Sequence, residues 1–327
     1  VTRAPAGPLP SEVTERLEKG AFLLIDKPRG PSSHQVSAWV RDLLGVERAG
    51  HAGTLDPNVS GLLWVGVGRA LKLIPLVLEF PKRYIGVMVL HGSVPRADIE
   101  RVAAEFQAAI FQTPPVRSAV KRERRIRRIH RLSIVEIDPP RVLLDVTADS
   151  GTYLRTLAVD LGEALGSEGH LEELRRVGTG PFQEQQSITV TALEDALQRA
   201  RSGETEAALA ALHPLEEVWE KFPKILLKEA AAAAVAHGAS LARGGILHLP
   251  TAFAKGDSVA LVTRQGEILA IGKALVGSED LPKVSSGWVV AIRRVLADAA
   301  KFQPLWRPTP RRPPEPVEPW TSPTTPD

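Results

Sequence analysis

A chain of 327 residues, 43% of them hydrophobic, is long enough for two domains and can bury a sizeable core. It contains no cysteine, which excludes disulfides, thiolate nucleophiles and cysteine-ligated metals and suits a reducing or a hot interior. The eight histidines are scattered without a His-x-x-x-His pair, no apolar run reaches membrane-span length, and no signal-peptide pattern opens the chain. Neither a metal, a membrane nor a secretory route is therefore expected. Because Val1 comes first and Met88 is the one methionine, the N-terminus is expected to be incomplete.

Residues 1–20 are polar and proline-containing, and read as an arm. Phe22-Leu23-Leu24-Ile25 is a short strand that ends at the turn Asp26-Lys27-Pro28-Arg29-Gly30-Pro31. Ser33 can cap a helix with Val36, Trp39, Val40, Leu43 and Leu44 on one face and Gly45 as its stop. The stretch Gly50-His51-Ala52-Gly53-Thr54-Leu55-Asp56-Pro57 follows. Its glycines allow backbone angles or close approaches that a β-carbon would block. Pro57 biases Asp56 away from the α region. The residues alone leave two readings open, an ordinary turn or a loop that presents an acid and an imidazole.

Tyr84–Leu90 is predicted as a strand, and residues 97–110 as a helix with Ile99, Val102, Phe106 and Ile110 on one face. Between them and the next strand, Arg141–Ala148, lies a run from Lys121 to Arg128 that is basic save for Glu123 and Ile126. Such a run is a solvated face or a phosphate-tracking surface. Gly151-Thr152-Tyr153-Leu154-Arg155 opens a helix with Leu154, Leu157, Ala158, Leu161 and Leu165 as its buried stripe. Strands and helices mix without a βαβ repeat, which predicts an α+β fold. From about residue 223 a helix over Ala230–Ala236 precedes strands at Gly245–Leu249, Ser258–Thr263, Ile268–Leu275 and Val289–Ile292. This is enough for a small β-barrel. The proline-dense segment 303–327 cannot build a core.

Taken in order, these motifs resemble the dyskerin-type pseudouridine synthases of archaeal and eukaryotic H/ACA ribonucleoproteins, relatives of the bacterial enzyme that modifies the tRNA TΨC loop. The resemblance covers roughly residues 20 to 300. It is carried by Leu24-Ile25-Asp26-Lys27-Pro28, Gly30-Pro31-Ser32-Ser33, Gly50-His51 and Gly53-Thr54-Leu55-Asp56-Pro57. It continues through Lys82-Arg83-Tyr84, Pro114–Arg122, Gly151–Arg155, Leu174-Arg175-Arg176 and Gly180-Pro181-Phe182. The module from residue 223 looks like a PUA domain.

The resemblance implies an arm (1–20), a catalytic domain (21–222) with a mixed, mostly antiparallel sheet flanked by helices around a central cleft, a PUA barrel (223–302) and a tail (303–327). It implies conversion of uridine to pseudouridine in rRNA, and in the tRNA TΨC loop, with no cofactor, because the product is an isomer of the substrate. Asp56 is then the catalytic carboxylate, ionised in a water-poor pocket and gripped by Arg155. Tyr84 stacks on the base and serves proton transfer. His51 holds the flipped-out base, Lys27 contacts a phosphate or the loop, and Tyr153 and Leu174 line the pocket. Lys121 and Arg122 track RNA backbone.

Implied partners are a box H/ACA guide RNA, the substrate RNA, and three small proteins: one zinc-ribbon-like, one β-barrel and one kink-turn binder. The implied setting is the cytoplasm of an archaeal cell. A stand-alone enzyme for the tRNA TΨC loop is the alternative, and a non-catalytic RNA-binding scaffold the third. Four positions depart from the family pattern: Ala52 for Ser or Thr, Trp64 for Pro, Leu71 for Thr and His130 for Tyr.

Overall fold

The computed structural model describes residues 7–113 and 123–303, and the chain divides into two compact units between Lys221 and Phe222. The first opens with α1 (Ser11–Lys19), β1 (Ala21–Lys27), α2 (Ser33–Leu44), β2 (Ala49–Ala52), β3 (Ser60–Val67), α3 (Ile74–Glu79) and β4 (Lys82–Leu90). It goes on with α4 (Arg96–Glu105), β5 (Ala109–Gln112), β6 (Arg125–Asp138), β7 (Arg141–Ala148), α5 (Leu154–Ala164), β8 (Gly169–Thr179) and β9 (Phe182–Gln183). Helix α6 (Val190–Arg201), α7 (Glu206–Ala211), β10 (His213–Pro214) and α8 (Glu216–Trp219) complete it.

The strands form one sheet in the order β10-β1-β3-β8-β4-β7-β6-β5, with β2 on β3 and β9 on β8. Its named pairs are antiparallel except β3 with β8, where Ser60 faces Arg175 and Gly61 faces Arg176. That parallel contact brings β8 beside the loop joining β2 to β3, and it is where the site forms. Two apolar cores flank the sheet. Helices α1, α2, α6 and α7 contribute Val13, Val36, Val40, Leu193 and Ala208 to one, against β1 and β3. Helices α4 and α5 contribute Ile99, Val102, Leu157 and Leu161 to the other, against β4, β6 and β7. The α+β expectation describes this arrangement.

Four local readings change. Residues 11–19 form a helix rather than part of an arm, because Val13 is fully buried in the first core. One buried residue in nine is too little for a visible stripe. Helix α2 is capped by Ser32, not Ser33. The Ser32 hydroxyl accepts from Gln35 N at 3.2 Å and Gln35 Oε1 accepts from Ser32 N at 2.9 Å. Helix α4 stops at Glu105, five residues before the predicted end. Ile110 has the right helical spacing but lies in β5, opposite Arg127 of β6. Strand β6 itself was hidden by the basic run, whose charges mask its alternation.

The second unit has β11 (Lys224–Leu227), α9 (Glu229–Ala236), β12 (Leu241–Ala242), β13 (Ile246–His248), β14 (Ser258–Val262), β15 (Ile268–Ala274) and β16 (Trp288–Val295). Its nearly closed, barrel-like sheet runs β12-β16-β15-β14-β11-β13. Val259, Leu261, Leu269 and Val289 fill the interior, and α9 adds Ala232 and Val235. Strands β11 and β12 escape the sequence reading because four and two residues carry little pattern.

Candidate active site

The glycine-rich stretch is half strand and half loop. Gly50, His51 and Ala52 pair in β2 with Gly66, Val65 and Trp64, so only residues 53–59 are irregular. The two glycines do different work. A β-carbon at Gly50 would stand 2.9 Å from Ile74 Cδ1, whereas Gly53 has φ +79°.

The loop is pinned through its main chain. The buried Ser33 hydroxyl donates to Leu55 O at 3.0 Å and accepts from Leu55 N at 2.8 Å. Gly30 N donates to Pro57 O at 2.8 Å. The buried Lys27 ammonium donates to Pro28 O at 2.8 Å and reaches Pro57 O at 3.4 Å. Arg176 Nη2 donates to Gly53 O at 2.9 Å. With Leu55 turned inward, the next side chain, Asp56, is turned out.

Asp56 meets Arg155, whose Nη2 lies 2.8 Å from Asp56 Oδ2. The two side chains are 52% and 56% exposed. The water-poor pocket expected around Asp56 is therefore not made by these residues alone. Arg155 is the second residue of α5, and the start of that helix is fixed by the buried Gln112. Its Oε1 accepts from Tyr153 N at 2.9 Å and its Nε2 donates to Tyr153 O at 3.2 Å. Gln112 supplies the cap that Tyr153 lacks in its own side chain.

His51 lies between Ser37 Oγ (3.1 Å from Nδ1) and Thr54 Oγ1 (3.3 Å from Nε2), with the His34 ring edge-on at 4.7 Å. Ser37 already donates its hydroxyl proton to Ser33 O at 2.9 Å. Its oxygen must then accept from His51, which assigns the proton to Nδ1 and leaves the Nε2 lone pair for Thr54. Burial, then His34 and Arg176, lower the imidazole pKa to about 4. At neutral pH it is an uncharged ring.

Tyr84, Leu174 and Arg176 share one face of the sheet. Tyr84 of β4 is opposite Arg176 of β8, and Gly86 opposite Leu174. Tyr84 and Leu174 pack against the second core. Arg176 is 1% exposed. Beyond Gly53 it donates through Nε to Leu62 O at 2.7 Å. Burial works against its charge while Tyr84 works for it. Lys82, also buried, caps the end of α3 by donating to Val77 O (3.2 Å), Leu78 O (2.7 Å) and Phe80 O (2.6 Å). Burial and then Arg176 lower its pKa to about 7. Lys27 is lowered too, by burial and Arg176, with Asp56 opposing. Three buried basic side chains thus lie under the loop, held mainly by backbone carbonyls.

Of the predicted residues, the structure joins Asp56 to Arg155 directly. Lys27 holds the loop rather than projecting from it, and His51 backs it. Tyr84 and Leu174 form a neighbouring wall, with Tyr84 the cross-strand partner of the Arg176 that holds Gly53 O. Tyr153 is placed by its backbone contacts with Gln112. Lys121 and Arg122 lie outside the described residues. Sequence reasoning missed Ser33 as a loop clamp, Gln112, Lys82 and Arg176. Arg176 stood within a matched motif, but nothing local marks an arginine as buried. Among the departures, Trp64 is a core residue stacked on Phe22 at 5.1 Å, and His130 pairs with Asp149 at 2.8 Å. Among the described residues no group of three or more His, Asp or Glu could hold a metal, and no helix is long and apolar enough to cross a membrane.

A carboxylate beside a guanidinium, with a phenol on the adjoining wall, can attack or stabilise an electron-poor carbon and shuttle a proton. Comparison with known proteins gives that chemistry its class. Residues 41–154 match the TruB family pseudouridylate synthase N-terminal domain, 155–220 the tRNA pseudouridylate synthase B C-terminal domain, and 223–296 the PUA domain. Fold and site define a pseudouridine synthase acting on RNA, with a C-terminal PUA domain. The chain belongs to the TruB family.

It is 42% identical over 284 residues to the probable tRNA pseudouridine synthase B of Methanothermobacter thermautotrophicus, covering 86% of this chain and 88% of that one. The Pyrobaculum calidifontis protein of the same description is 42% identical over 301 residues, covering 92% and 90%. Among solved structures, a chain of a Cbf5-Nop10-Gar1 complex superposes with TM-score 0.79 at 39% identity, covering 91% and 92%. A chain of an H/ACA ribonucleoprotein bound to a substrate RNA containing 2′-deoxyuridine gives 0.75 at 36%, covering 93% and 95%.

Proposed function

We propose that this chain is the catalytic subunit of an archaeal-type box H/ACA ribonucleoprotein, converting guide-selected uridines to pseudouridine with Asp56 as the catalytic carboxylate. The observation that carries the reading is the likeness, over more than nine-tenths of both chains, to proteins solved in Cbf5-Nop10-Gar1 and substrate-bound H/ACA complexes. A guide RNA and small proteins of the Nop10 and Gar1 kind are its partners, and the interior of the cell is where these RNAs are met.

The reaction breaks the N1–C1′ bond of uridine, turns the base and forms C5–C1′, moving one proton off C5 and one onto N1. Asp56 projects from a pinned loop beside Arg155, so a flipped-out nucleotide laid over the pair would dry it and strengthen it. Tyr84 and Leu174 receive the base from the neighbouring wall. His51, neutral and held at both ring nitrogens, backs the loop without adding charge. Arginines of β6 follow the RNA backbone. Arg124 lies 4.6 Å over the Phe111 ring, an exposed aromatic and basic pair suited to nucleotides.

The curated relatives are described as probable tRNA pseudouridine synthase B, which favours a second reading, a stand-alone enzyme for the tRNA TΨC loop. Purified protein incubated with tRNA and with an rRNA fragment, each with and without guide RNA and the small proteins, separates the two. The first reading expects rRNA conversion to depend on the guide. Full conversion of the rRNA fragment without any guide would overturn it.

A further inference from the structure

We propose that Gln112 is a positioning residue for the isomerisation: by clamping the main chain of Tyr153 it sets where Arg155 stands to meet Asp56. The inference rests on the reading of Asp56 and Arg155 as the working pair, and it concerns a residue that bonds to neither.

Among the described residues Asp56 is the one ion-pair partner of Arg155, at 2.8 Å and with both side chains about half exposed. The reach of the guanidinium therefore depends on where α5 places its main chain. Arg155 is the second residue of that helix, in the turn whose N–H groups have no helical acceptor. Gln112 acts just upstream. Its Oε1 accepts from Tyr153 N at 2.9 Å and its Nε2 donates to Tyr153 O at 3.2 Å. The same carbonyl accepts the first helical bond, from Leu157 N at 3.0 Å. A grip on both the N–H and the C=O of one residue fixes its φ and ψ together, here at −97° and 101°. It takes a side chain with donor and acceptor on one planar group, and a primary amide has both. Gln112 is 3% exposed, so solvent has little access to replace either bond. The body of α5 is held separately by Leu157, Ala158 and Leu161 in the second core. Loosening its first turn therefore need not unfold it.

The clamp also shows what Arg155 is fastened to. Strand β5 pairs with β6, and its alternation turns Gln112 inward while the neighbouring Phe111 faces solvent under Arg124. A second tie lies at the end of β7. Asp149 N donates to Arg128 O at 2.9 Å, and its carboxylate accepts from Arg128 N at 2.9 Å and His130 Nε2 at 2.8 Å. The turn from Asp149 to Tyr153 is thus fastened at both ends to the β5–β6 pair, so the arginine-bearing strand and the start of α5 are held in one frame.

The test is a double-mutant cycle read by release of tritium from C5-tritiated uridine, in single turnover at saturating RNA with guide and small proteins present. Gln112→Met keeps the length and loses both bonds. We expect turnover about tenfold slower, with RNA affinity changed less than about threefold. In an Arg155→Ala background the same change should cost nothing further, because a misplaced first turn matters only through the guanidinium. Losses that multiply would mean that Gln112 acts through RNA contacts or the fold at large, overturning the proposal while leaving Arg155 as a working residue. Full speed in Gln112→Met would overturn it as well. Full speed in Arg155→Ala would overturn the reading of the pair and the proposal together. Should Gln112→Met not fold, Gln112→Asn takes its place in the cycle with the same outcomes, its amide one carbon too short to span both groups of Tyr153.

Discussion

Replacing Arg155 by alanine should separate catalysis from stability. In the free protein the Asp56–Arg155 pair is about half exposed at both ends, 2.8 Å apart. At that distance two unit charges attract by about 1.5 kcal/mol in water, and side-chain ordering and salt take most of it back. Arg155→Ala should therefore cost no more than about 1 kcal/mol of stability, or roughly 2–4 °C. A nucleotide covering the pair lowers the effective dielectric toward 20, where the same separation is worth about 6 kcal/mol. The difference, about 4 kcal/mol, corresponds to a rate loss on the order of a thousandfold. Tritium release in single turnover reads the rate, and thermal melting of the full chain reads the stability. Near-normal turnover would refute the reasoning, and so would a melting temperature that falls by 10 °C.

Asp56→Asn should lose several orders of magnitude in turnover with RNA affinity little changed in a filter-binding assay, since phosphate contacts dominate affinity. Ser33→Ala strands the buried N–H and C=O of Leu55 and should destabilise by about 2 kcal/mol, seen as a lower denaturation midpoint. The His51 pKa is pulled from its usual 6.5 to about 4, so between those values the unfolded chain binds the extra proton. Stability should fall as pH drops from about 6.5 to 4, and His51→Gln should flatten that slope. Lys82, lowered from 10.5 to about 7, sheds a proton on folding across that window. Its contribution makes stability rise from pH 7 to 10, and Lys82→Met should remove the rise in a denaturation series.

What was legible in the sequence had a local cause. Helix α2 showed its stripe, its Ser-rich start and its Gly45 stop, and the Asp-Pro loop showed its own punctuation. What depended on a distant partner did not show. Ile110 fits a helix by spacing, and only its pairing with Arg127 makes it a strand residue. Ser33 looks like a cap until Leu55, far along the chain, occupies its hydroxyl. Lys82, Arg176 and Gln112 are polar residues in the interior, against the ordinary burial preference, and each is explained by backbone groups supplied from elsewhere. The pairing of Asp56 with Arg155 was reachable because both residues lie in motifs whose resemblance covers the chain in order. The acid's open setting was not, because exposure is a property of the assembled surface.

Apart from His51 at the Thr54 hydroxyl and Arg155 at Asp56, the clamps on residues 53–57 grip carbonyls and amides. A loop held that way has little left to rearrange when RNA arrives. The ordering cost of placing the carboxylate was met when the protein folded, and the conformational search that remains belongs to the RNA. Turnover should then respond to how readily a given uridine unstacks, so that two target RNAs differing only in the neighbouring stacks react at different speeds on one unchanging protein surface.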